Sequence, residues 1–158
     1  TMTKVGIGLD FHRLEPGENL ILGGVEYDHD TGTVAHSDGD VLVHAICDAI
    51  LGAAGLGDIG RHFPDDDPAY AGISSIKLLK KVIDKVSSLG YEPENVDSTV
   101  IIQEPRLGEG REKMMNNLEE AVGAPVNVKA TTTERLGFIG EGRGIGAQAI
   151  ASLVLSDR

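Results

Sequence analysis

Apolar and small residues alternate at the start of the chain. Val5, Ile7 and Leu9 are separated by small or polar residues, a pattern that predicts a half-buried strand. The strand runs directly into Asp10 and His12. Side chains two positions apart on a strand point to the same face, so these two polar groups are expected to lie side by side.

The rest of the chain alternates between extended and helical patterns. It predicts an extended stretch over Leu20 to Tyr27, a buried helix from Asp40 to Ala54 with Ser37 and Asp38 as candidate caps, an amphipathic helix over Ile76 to Val86 that ends at Gly90, a strand from Val96 to Gln103, a helix from Glu109 to Val122 and a strand from Val126 to Thr133. Residues 145–155 are apolar nearly all round and fit either a helix or a strand. This order predicts one α+β domain, an α/β sandwich, over residues 2–158.

Composition and charge restrict the partners that the protein can have. The net charge of -11 argues against nucleic acid, which is held by clustered lysines and arginines. A small anionic substrate remains possible if bound divalent cations supply positive charge. One cysteine, no leader-like segment and no stretch long enough to cross a membrane indicate a reduced, cytoplasmic bacterial protein with no membrane partner.

Three side chains have the spacing of a metal site. Asp10 and His12 end the first strand, and His44 lies on the first predicted helix. One oxygen and two nitrogens suit zinc with three protein ligands and an open fourth position. Asp48, one turn from His44, is a candidate to orient it. The alternatives are that His44 is a buried structural histidine, that Asp48 is a solvated helix residue and that Cys47 is a small core residue rather than a ligand.

A second polar segment, from Lys129 to Glu134, offers hydroxyl groups and backbone N–H groups to a phosphate. The carboxylate of Glu134 could hold a harder cation such as Mg²⁺. A β-branched strand end explains the same residues without a ligand. The acidic turn from Phe63 to Pro68 also fits an ordinary solvated turn.

Taken together, several separated motifs resemble one known family. They are Gly8-Leu9-Asp10-Phe11-His12, Ala35-His36-Ser37-Asp38-Gly39-Asp40 with His44, Leu56-Gly57-Asp58-Ile59-Gly60, Phe63-Pro64-Asp65, and Val128 to Glu134 followed by Leu136-Gly137-Phe138. In this order they are similar to the cyclodiphosphate synthases of the non-mevalonate isoprenoid pathway. The resemblance covers nearly the whole chain.

The resemblance implies a fold and a set of metal ligands. The family is a homotrimer in which mixed, four-stranded-type sheets with helices on one face pack around the threefold axis. By the same resemblance, Asp10, His12 and His44 hold Zn²⁺, and Glu134 contacts Mg²⁺ or Mn²⁺ bound to the substrate diphosphate. Each active site lies between neighbouring subunits.

The resemblance also assigns the remaining site residues. His36 and Thr132 steady the reacting phosphates as catalytic residues. The substrate-binding residues are Ser37, Asp58, Ile59, Gly60, Phe63, Pro64, Asp65, Thr131, Thr133 and Phe138. The cytidine loop, supplied by a neighbouring subunit, comprises Ile102, Gln103, Glu104, Pro105, Arg106 and Leu107.

The implied reaction is a metal-assisted intramolecular phosphoryl transfer by a phosphorus–oxygen lyase. It converts 4-diphosphocytidyl-2-C-methyl-D-erythritol 2-phosphate to 2-C-methyl-D-erythritol 2,4-cyclodiphosphate and CMP. Two other functions fit the same residues: a metal-dependent phosphohydrolase that directs water at phosphorus, and a non-catalytic trimer that binds metal or isoprenoid phosphates. The products released from the substrate distinguish the three.

Overall fold

Strands and short helices alternate along the chain, and a computed structural model describes residues 2–156. The strands are β1 (Thr3–Pro16), β2 (Leu20–Leu22), β3 (Val25–Tyr27), β4 (Thr31–Thr33), β5 (Tyr91–Ile101), β6 (Val126–Thr131) and β7 (Gly144–Leu155). The helices are α1 (Val41–Ala53), α2 (Ile59–His62), α3 (Ser75–Ser88), α4 (Gly110–Val122) and α5 (Gly137–Gly140), with a short 3-10 turn at Pro68–Tyr70.

The main sheet has the strand order β4-β1-β7-β5-β6. The β5–β6 pair is parallel and the other pairs are antiparallel, so the sheet is mixed. This confirms the predicted mixed sheet. The prediction gave a four-stranded-type sheet, and the short edge strand β4 brings the number of strands to five. Helices α1, α3 and α4 cover one face and share a hydrophobic core with the sheet, which confirms the α+β sandwich.

Two sequence predictions are refined by the structure. Residues 145–155, which fitted either a helix or a strand, belong to β7 and pair with β1 and β5 on its two sides. The extended stretch over Leu20 to Tyr27 is a hairpin, because β2 and β3 turn back on each other at Gly23 and Gly24. Both glycines have positive φ, which side chains with a Cβ rarely adopt.

The first strand buries its glycine face and exposes its apolar face. A Cβ added to Gly6 or Gly8 would overlap backbone atoms of α1, since Ala45 and Ala49 lie directly against these glycines. The backbone of α1 therefore packs directly on the backbone of β1. The half-buried strand is confirmed, but Val5, Ile7 and Leu9 form its exposed side.

Helix α1 is capped by Asp40, not by Ser37 or Asp38. The Asp40 carboxylate accepts hydrogen bonds from the N–H groups of Val43 (3.2 Å), Gly23 (2.9 Å) and Gly24 (2.8 Å). Complete burial, opposed by these hydrogen bonds, raises the pKa of Asp40 to about 6. One side chain thus joins the β2–β3 hairpin to the start of α1. Within residues 2–156, no helix is long and apolar enough to cross a membrane.

We expect Gly8→Ala to lower the free energy of unfolding by about 1–3 kcal/mol or more, because its methyl group would force α1 away from β1. Gly52→Ala is the matched control. Its Cβ would lie 3.8 Å from the Ile7 carbonyl oxygen, an ordinary van der Waals distance. Alanine in a helix is also favoured over glycine by up to about 1 kcal/mol. Chemical denaturation measures both variants. A Gly8→Ala protein as stable as the wild type would contradict the close backbone packing.

Candidate metal centre and active site

The close packing of α1 on β1 brings three ligand groups together. Asp10 and His12 follow Gly8 on the inner face of β1, and His44 lies in the first turn of α1. One ligand atom from each residue lies within 4.8 Å of the other two. Asp10 Oδ2 is 3.0 Å from His12 Nδ1 and 3.2 Å from His44 Nδ1. The predicted triad is therefore assembled.

The triad contains a buried ring nitrogen that has no hydrogen-bond partner. His12 Nδ1 is buried and makes no hydrogen bond; it is close to Asp10 Oδ2, but the geometry is not that of a hydrogen bond. Buried polar atoms without a partner are uncommon in folded proteins. One carboxylate and two imidazoles are the ligands of many divalent-cation sites with an open position. The residues present fit a metal ion.

The electrostatics of the triad favour positive charge. Burial raises the pKa of Asp10, but the adjacent imidazoles of His12 and His44 more than offset this and hold it below its usual value. Burial lowers the pKa of His44, yet the nearby carboxylates, first that of Asp10, raise it above its ordinary value. The carboxylates around His44 therefore favour positive charge at the triad, which a bound metal ion would supply.

The structure contradicts the role considered for Asp48. Its Oδ1 accepts the N–H of Ile59 at 2.7 Å, so it fixes the start of α2. The His44 Nε2 atom instead lies 2.8 Å from Ser75 Oγ and 3.2 Å from Ser37 Oγ. Cys47 is completely buried in the core and is not part of the triad.

A cleft of about 450 Å³ opens beside the triad. Its walls include His12 and His44 together with six residues predicted to act in the reaction or bind substrate: His36, Ser37, Ile59, Gly60, Phe63 and Asp65. His36 Nε2 lies within hydrogen-bonding distance of the Asp67 carbonyl oxygen, at 2.8 Å. Phe63 is buried and packs edge-on against Tyr70. The cleft therefore combines a metal site with polar and aromatic walls.

Two other predicted residues lie on the exposed loop around α2. Asp58 is the N-cap of α2, and its Oδ1 accepts the N–H of Arg61 at 3.0 Å. Its second carboxylate oxygen is available to a ligand. Pro64 is exposed between Phe63 and Asp65.

The remaining predicted residues gather where β5 and β6 end. Ile101 and Thr131 are partners in the parallel ladder, and the Ile102 N–H donates to the Thr131 carbonyl oxygen at 2.9 Å. The Gln103 side chain accepts the N–H of Arg135 at 3.1 Å, which ties the predicted cytidine loop to residues 131–135. Within that loop, Glu104, Pro105 and Arg106 are at least partly exposed, whereas Ile102 and Leu107 are core residues.

The backbone after β6 adopts an uncommon conformation. Glu134 and Arg135 have φ values of 53° and 65°, in the left-handed region. Such residues are often held in place near functional sites by surrounding contacts. Here the Glu134 N–H donates to Thr132 Oγ1 at 3.1 Å, and the Thr133 hydroxyl donates to the Leu136 carbonyl oxygen at 2.7 Å. Thr131, Thr132, Glu134 and Phe138 are exposed to solvent.

The two groups of residues lie at one end of the sheet but on different strands. The register aligns Asp10 of β1 with Ala147 of β7, Val100 of β5 and Ala130 of β6. Asp10 and Ala130 are three strand spacings apart, roughly 14 Å. Within a single chain, the metal triad and the loop after β6 therefore face solvent as separate polar regions.

Sequence reasoning missed Ser75, which contacts a metal-ligand candidate. Ser75 is the first residue of α3 and is completely buried. It is 31 positions from His44, and a serine at a helix start is ordinarily a capping signal. Only the folded arrangement of α1 and α3 identifies this contact.

Together, the fold and the site define an α+β protein with a candidate divalent-metal centre at one end of a mixed sheet. Residues 3–154 match the model of the YgbB family, and the chain belongs to that family.

Relatives and solved structures agree with this assignment. The chain is 55% identical over 153 residues to the 2-C-methyl-D-erythritol 2,4-cyclodiphosphate synthase of Agathobacter rectalis, covering 95% of this chain and 86% of the relative. It superposes with a TM-score of 0.94 and 42% identity on the bifunctional IspDF of Campylobacter jejuni, covering 99% of this chain and 43% of that one. The CDP complex of IspF from Plasmodium falciparum has a TM-score of 0.85 and 32% identity, with 98% and 97% coverage.

We expect the chain to bind one Zn²⁺ ion through the triad. His12→Ala and His44→Ala should each weaken Zn²⁺ binding by more than about 100-fold. Removing a ligand should cost more affinity than removing a residue that only hydrogen-bonds a ligand, which typically costs about 10- to 100-fold. His62→Ala is the control, because His62 hydrogen-bonds the Leu56 carbonyl oxygen outside the triad. Competition with a coloured chelator measures the affinities. Equal Zn²⁺ affinity in the wild type and His44→Ala would exclude the triad as the metal site.

Proposed function

We propose that the protein is a cyclodiphosphate synthase that converts 4-diphosphocytidyl-2-C-methyl-D-erythritol 2-phosphate to 2-C-methyl-D-erythritol 2,4-cyclodiphosphate and CMP. The observation that carries this proposal is the Asp10–His12–His44 triad opening into a cleft lined by His36 and Ser37. The 55% sequence identity to the Agathobacter rectalis synthase, over 95% of this chain, supports the proposal that this protein acts on the same substrate. The reaction class is that of a phosphorus–oxygen lyase.

Two cations are proposed for this site. Zn²⁺ would be held by Asp10, His12 and His44, whose ligand atoms suit it. Mg²⁺ or Mn²⁺ would accompany the substrate diphosphate and contact the exposed carboxylate of Glu134. When bound, the cations neutralise phosphate charge and favour the approach of two anionic groups.

The protein's own contribution is to position the substrate. In the reaction, an oxygen of the 2-phosphate forms a bond to the β-phosphorus of the CDP group, and the bond from that phosphorus to the bridging oxygen breaks. The electron pair leaves with CMP. Because both phosphates belong to one molecule, no protein nucleophile is needed, and holding the reacting groups in line supplies most of the rate enhancement.

Three side chains have hydrogen-bonding capacity that fits the proposed roles. Because His36 Nε2 faces the Asp67 carbonyl oxygen at 2.8 Å, Nδ1 is the ring nitrogen that remains for a phosphate. Thr132 Oγ1 accepts the Glu134 N–H, so its hydroxyl hydrogen is available to a phosphate oxygen. Asp58 has one carboxylate oxygen available for the hydroxyl groups of the methylerythritol unit.

Residues of the cleft and its margin are proposed to complete the binding of the methylerythritol phosphate. They are Ser37, Ile59, Gly60, Phe63, Pro64 and Asp65. Thr131, Thr133, Phe138 and residues 102–107 are proposed to bind the cytidine nucleotide. The Plasmodium falciparum IspF structure, solved with CDP, supports a nucleotide as part of the ligand.

We propose that three chains assemble so that these two groups of residues meet between neighbours. The outer face of the sheet supports this, since Val5, Ile7, Leu9 and Ile150 are 66%, 57%, 52% and 48% exposed. A contiguous apolar face of this kind is typical of a protein interface. The separation of the triad from the loop after β6 within one chain is also consistent with a site shared between subunits.

Two further assignments accompany this function. A single domain over residues 2–158 is supported by the one hydrophobic core that the described residues form. A reducing, cytoplasmic location is consistent with Cys47, which is buried as a free thiol.

We expect Ile7→Glu to dissociate the trimer, because it would place a carboxylate on each copy of a buried apolar interface. Leu89→Glu is the matched control: Leu89 is 52% exposed, close to the 57% of Ile7, but it lies at the C-cap of α3. Size-exclusion chromatography with light scattering gives the mass of each variant. A wild-type monomer, or an Ile7→Glu protein that remains trimeric, would contradict the proposed interface.

We expect ³¹P NMR of the wild type with substrate, Zn²⁺ and Mg²⁺ to show CMP and a cyclic diphosphate. His12→Ala should form them at least about 100-fold more slowly, as expected when charge stabilisation in the active site is lost, whereas His62→Ala should retain activity. CMP with linear phosphates would instead identify a phosphohydrolase. Bound but unchanged substrate would identify a non-catalytic binding protein.

A further inference from the structure

The imidazole of His44 is contacted at both of its nitrogens. Nδ1 faces Asp10 Oδ2 at 3.2 Å, inside the triad, and Nε2 faces Ser75 Oγ at 2.8 Å, behind it. A neutral imidazole carries one hydrogen, on either Nδ1 or Nε2. Only the form with the hydrogen on Nε2 leaves the Nδ1 lone pair available to a metal ion. Metal binding therefore requires the ring hydrogen to lie on Nε2, where the neighbouring group has to accept it.

Ser75 is fixed as a hydrogen-bond acceptor towards His44. Its hydroxyl has a single hydrogen, which is donated to Asp38 Oδ1. An ionised carboxylate can only accept, so this hydrogen is committed to Asp38. The lone pairs of Ser75 Oγ are then the partner for His44, and they require an N–H at Nε2.

Asp38 holds Ser75 through both of its carboxylate oxygens. Oδ2 accepts the Ser75 backbone N–H at 3.0 Å, while Oδ1 accepts the Ser75 hydroxyl and the Asp40 N–H. Ser74, the residue at the N-cap of α3, makes no capping hydrogen bond through its side chain. Asp38 thus takes over the capping of α3 from outside the helix, and the position of Ser75 is determined by backbone and side-chain contacts together.

A second hydroxyl near Nε2 is less suited to this role. Ser37 Oγ is 3.2 Å from His44 Nε2, is partly exposed and accepts the Gly39 N–H at 3.3 Å. Ser75 is nearer and completely buried. Ser75 is therefore the stronger determinant of the orientation of the His44 ring.

We propose that Asp38 and Ser75 are positioning residues that fix the tautomer and orientation of His44 for metal binding. This inference rests on the proposed metal site and adds two residues behind it. The order of hydrogen bonds is His44 Nε2–H to Ser75 Oγ, and Ser75 O–H to Asp38 Oδ1. Residues of this kind typically change metal affinity by about 10- to 100-fold when removed.

The test measures Zn²⁺ affinity and the tautomer of His44 in the full chain. We expect Ser75→Ala to weaken Zn²⁺ binding by about 10- to 100-fold. In metal-free protein at a pH where the imidazole is neutral, Asp10 at Nδ1 and Ser75 at Nε2 compete for the one ring hydrogen. With ¹⁵N-histidine labelling, long-range ¹H–¹⁵N spectra should show Nε2–H in the wild type, because Ser75 is the nearer acceptor. The Nδ1–H form should become populated in Ser75→Ala.

Ser98→Ala controls for the loss of a buried hydroxyl. Ser98 is as inaccessible as Ser75, but its hydroxyl donates to the Asn127 carbonyl oxygen on β6. We expect it to keep both the Zn²⁺ affinity and the His44 tautomer of the wild type. If Ser75→Ala fails to fold, Asp38→Asn provides a second test, because the amide replaces one of the two oxygens that accept from Ser75 with an N–H donor.

The results separate this inference from the proposed function. If the wild type binds Zn²⁺ through His44 and Ser75→Ala matches Ser98→Ala in affinity and tautomer, the positioning role is wrong and the metal site stands. If the wild type does not bind Zn²⁺ at the triad, the proposed function fails. In that case an unchanged tautomer in Ser75→Ala would also overturn the positioning role.

Discussion

The close approach of helix α1 to strand β1 is the constraint on which the candidate site depends. Gly6 and Gly8 have no side chain on the inner face of β1, and the facing residues of α1 are Ala45, Ala49 and Ala53. These small residues form a seam along which the two backbones touch. Glycine and alanine bury little apolar surface, so the seam contributes less to stability than larger side chains would. The seam determines how closely the helix approaches the strand: His44 of α1 reaches the carboxylate of Asp10 in the middle of β1.

The same approach concentrates acidic groups around His44. Asp10, Asp38 and Asp40 all raise the pKa of this imidazole, against the effect of its burial. A protein with a net charge of -11 is poorly suited to hold a polyphosphate directly. Its local field favours cations, and a bound cation changes the sign of the charge that a phosphate meets. A bound cation therefore allows an acidic chain to bind a phosphorylated substrate.

Much of the fold and the triad could be predicted from sequence because both depend on local periodicity. The period of two placed Asp10 and His12 on one face of a strand, as found. The same period could not decide which face is buried, since the choice of the glycine side depends on α1. Residues 145–155 were ambiguous because the outer face of this strand carries the apolar Ile150 between Gln148 and Ser152, and two polar positions are too few to mark its period.

The part of the site that sequence could not indicate is its support from α3. Asp10 Oδ2 faces two ring nitrogens, at 3.0 and 3.2 Å. A carboxylate favours a hydrogen on the nitrogen that it faces, whereas a metal ion needs the lone pair of that nitrogen. The position of the ring hydrogen therefore depends on the hydrogen-bond partner at the other ring nitrogen. For His44 that partner is Ser75, at the start of α3. Since Leu79 and Val82 anchor α3 in the core, the position of that serine depends on core packing as well as on Asp38. The triad is therefore contributed by two elements and oriented by a third, which is distant in sequence and contributes no ligand.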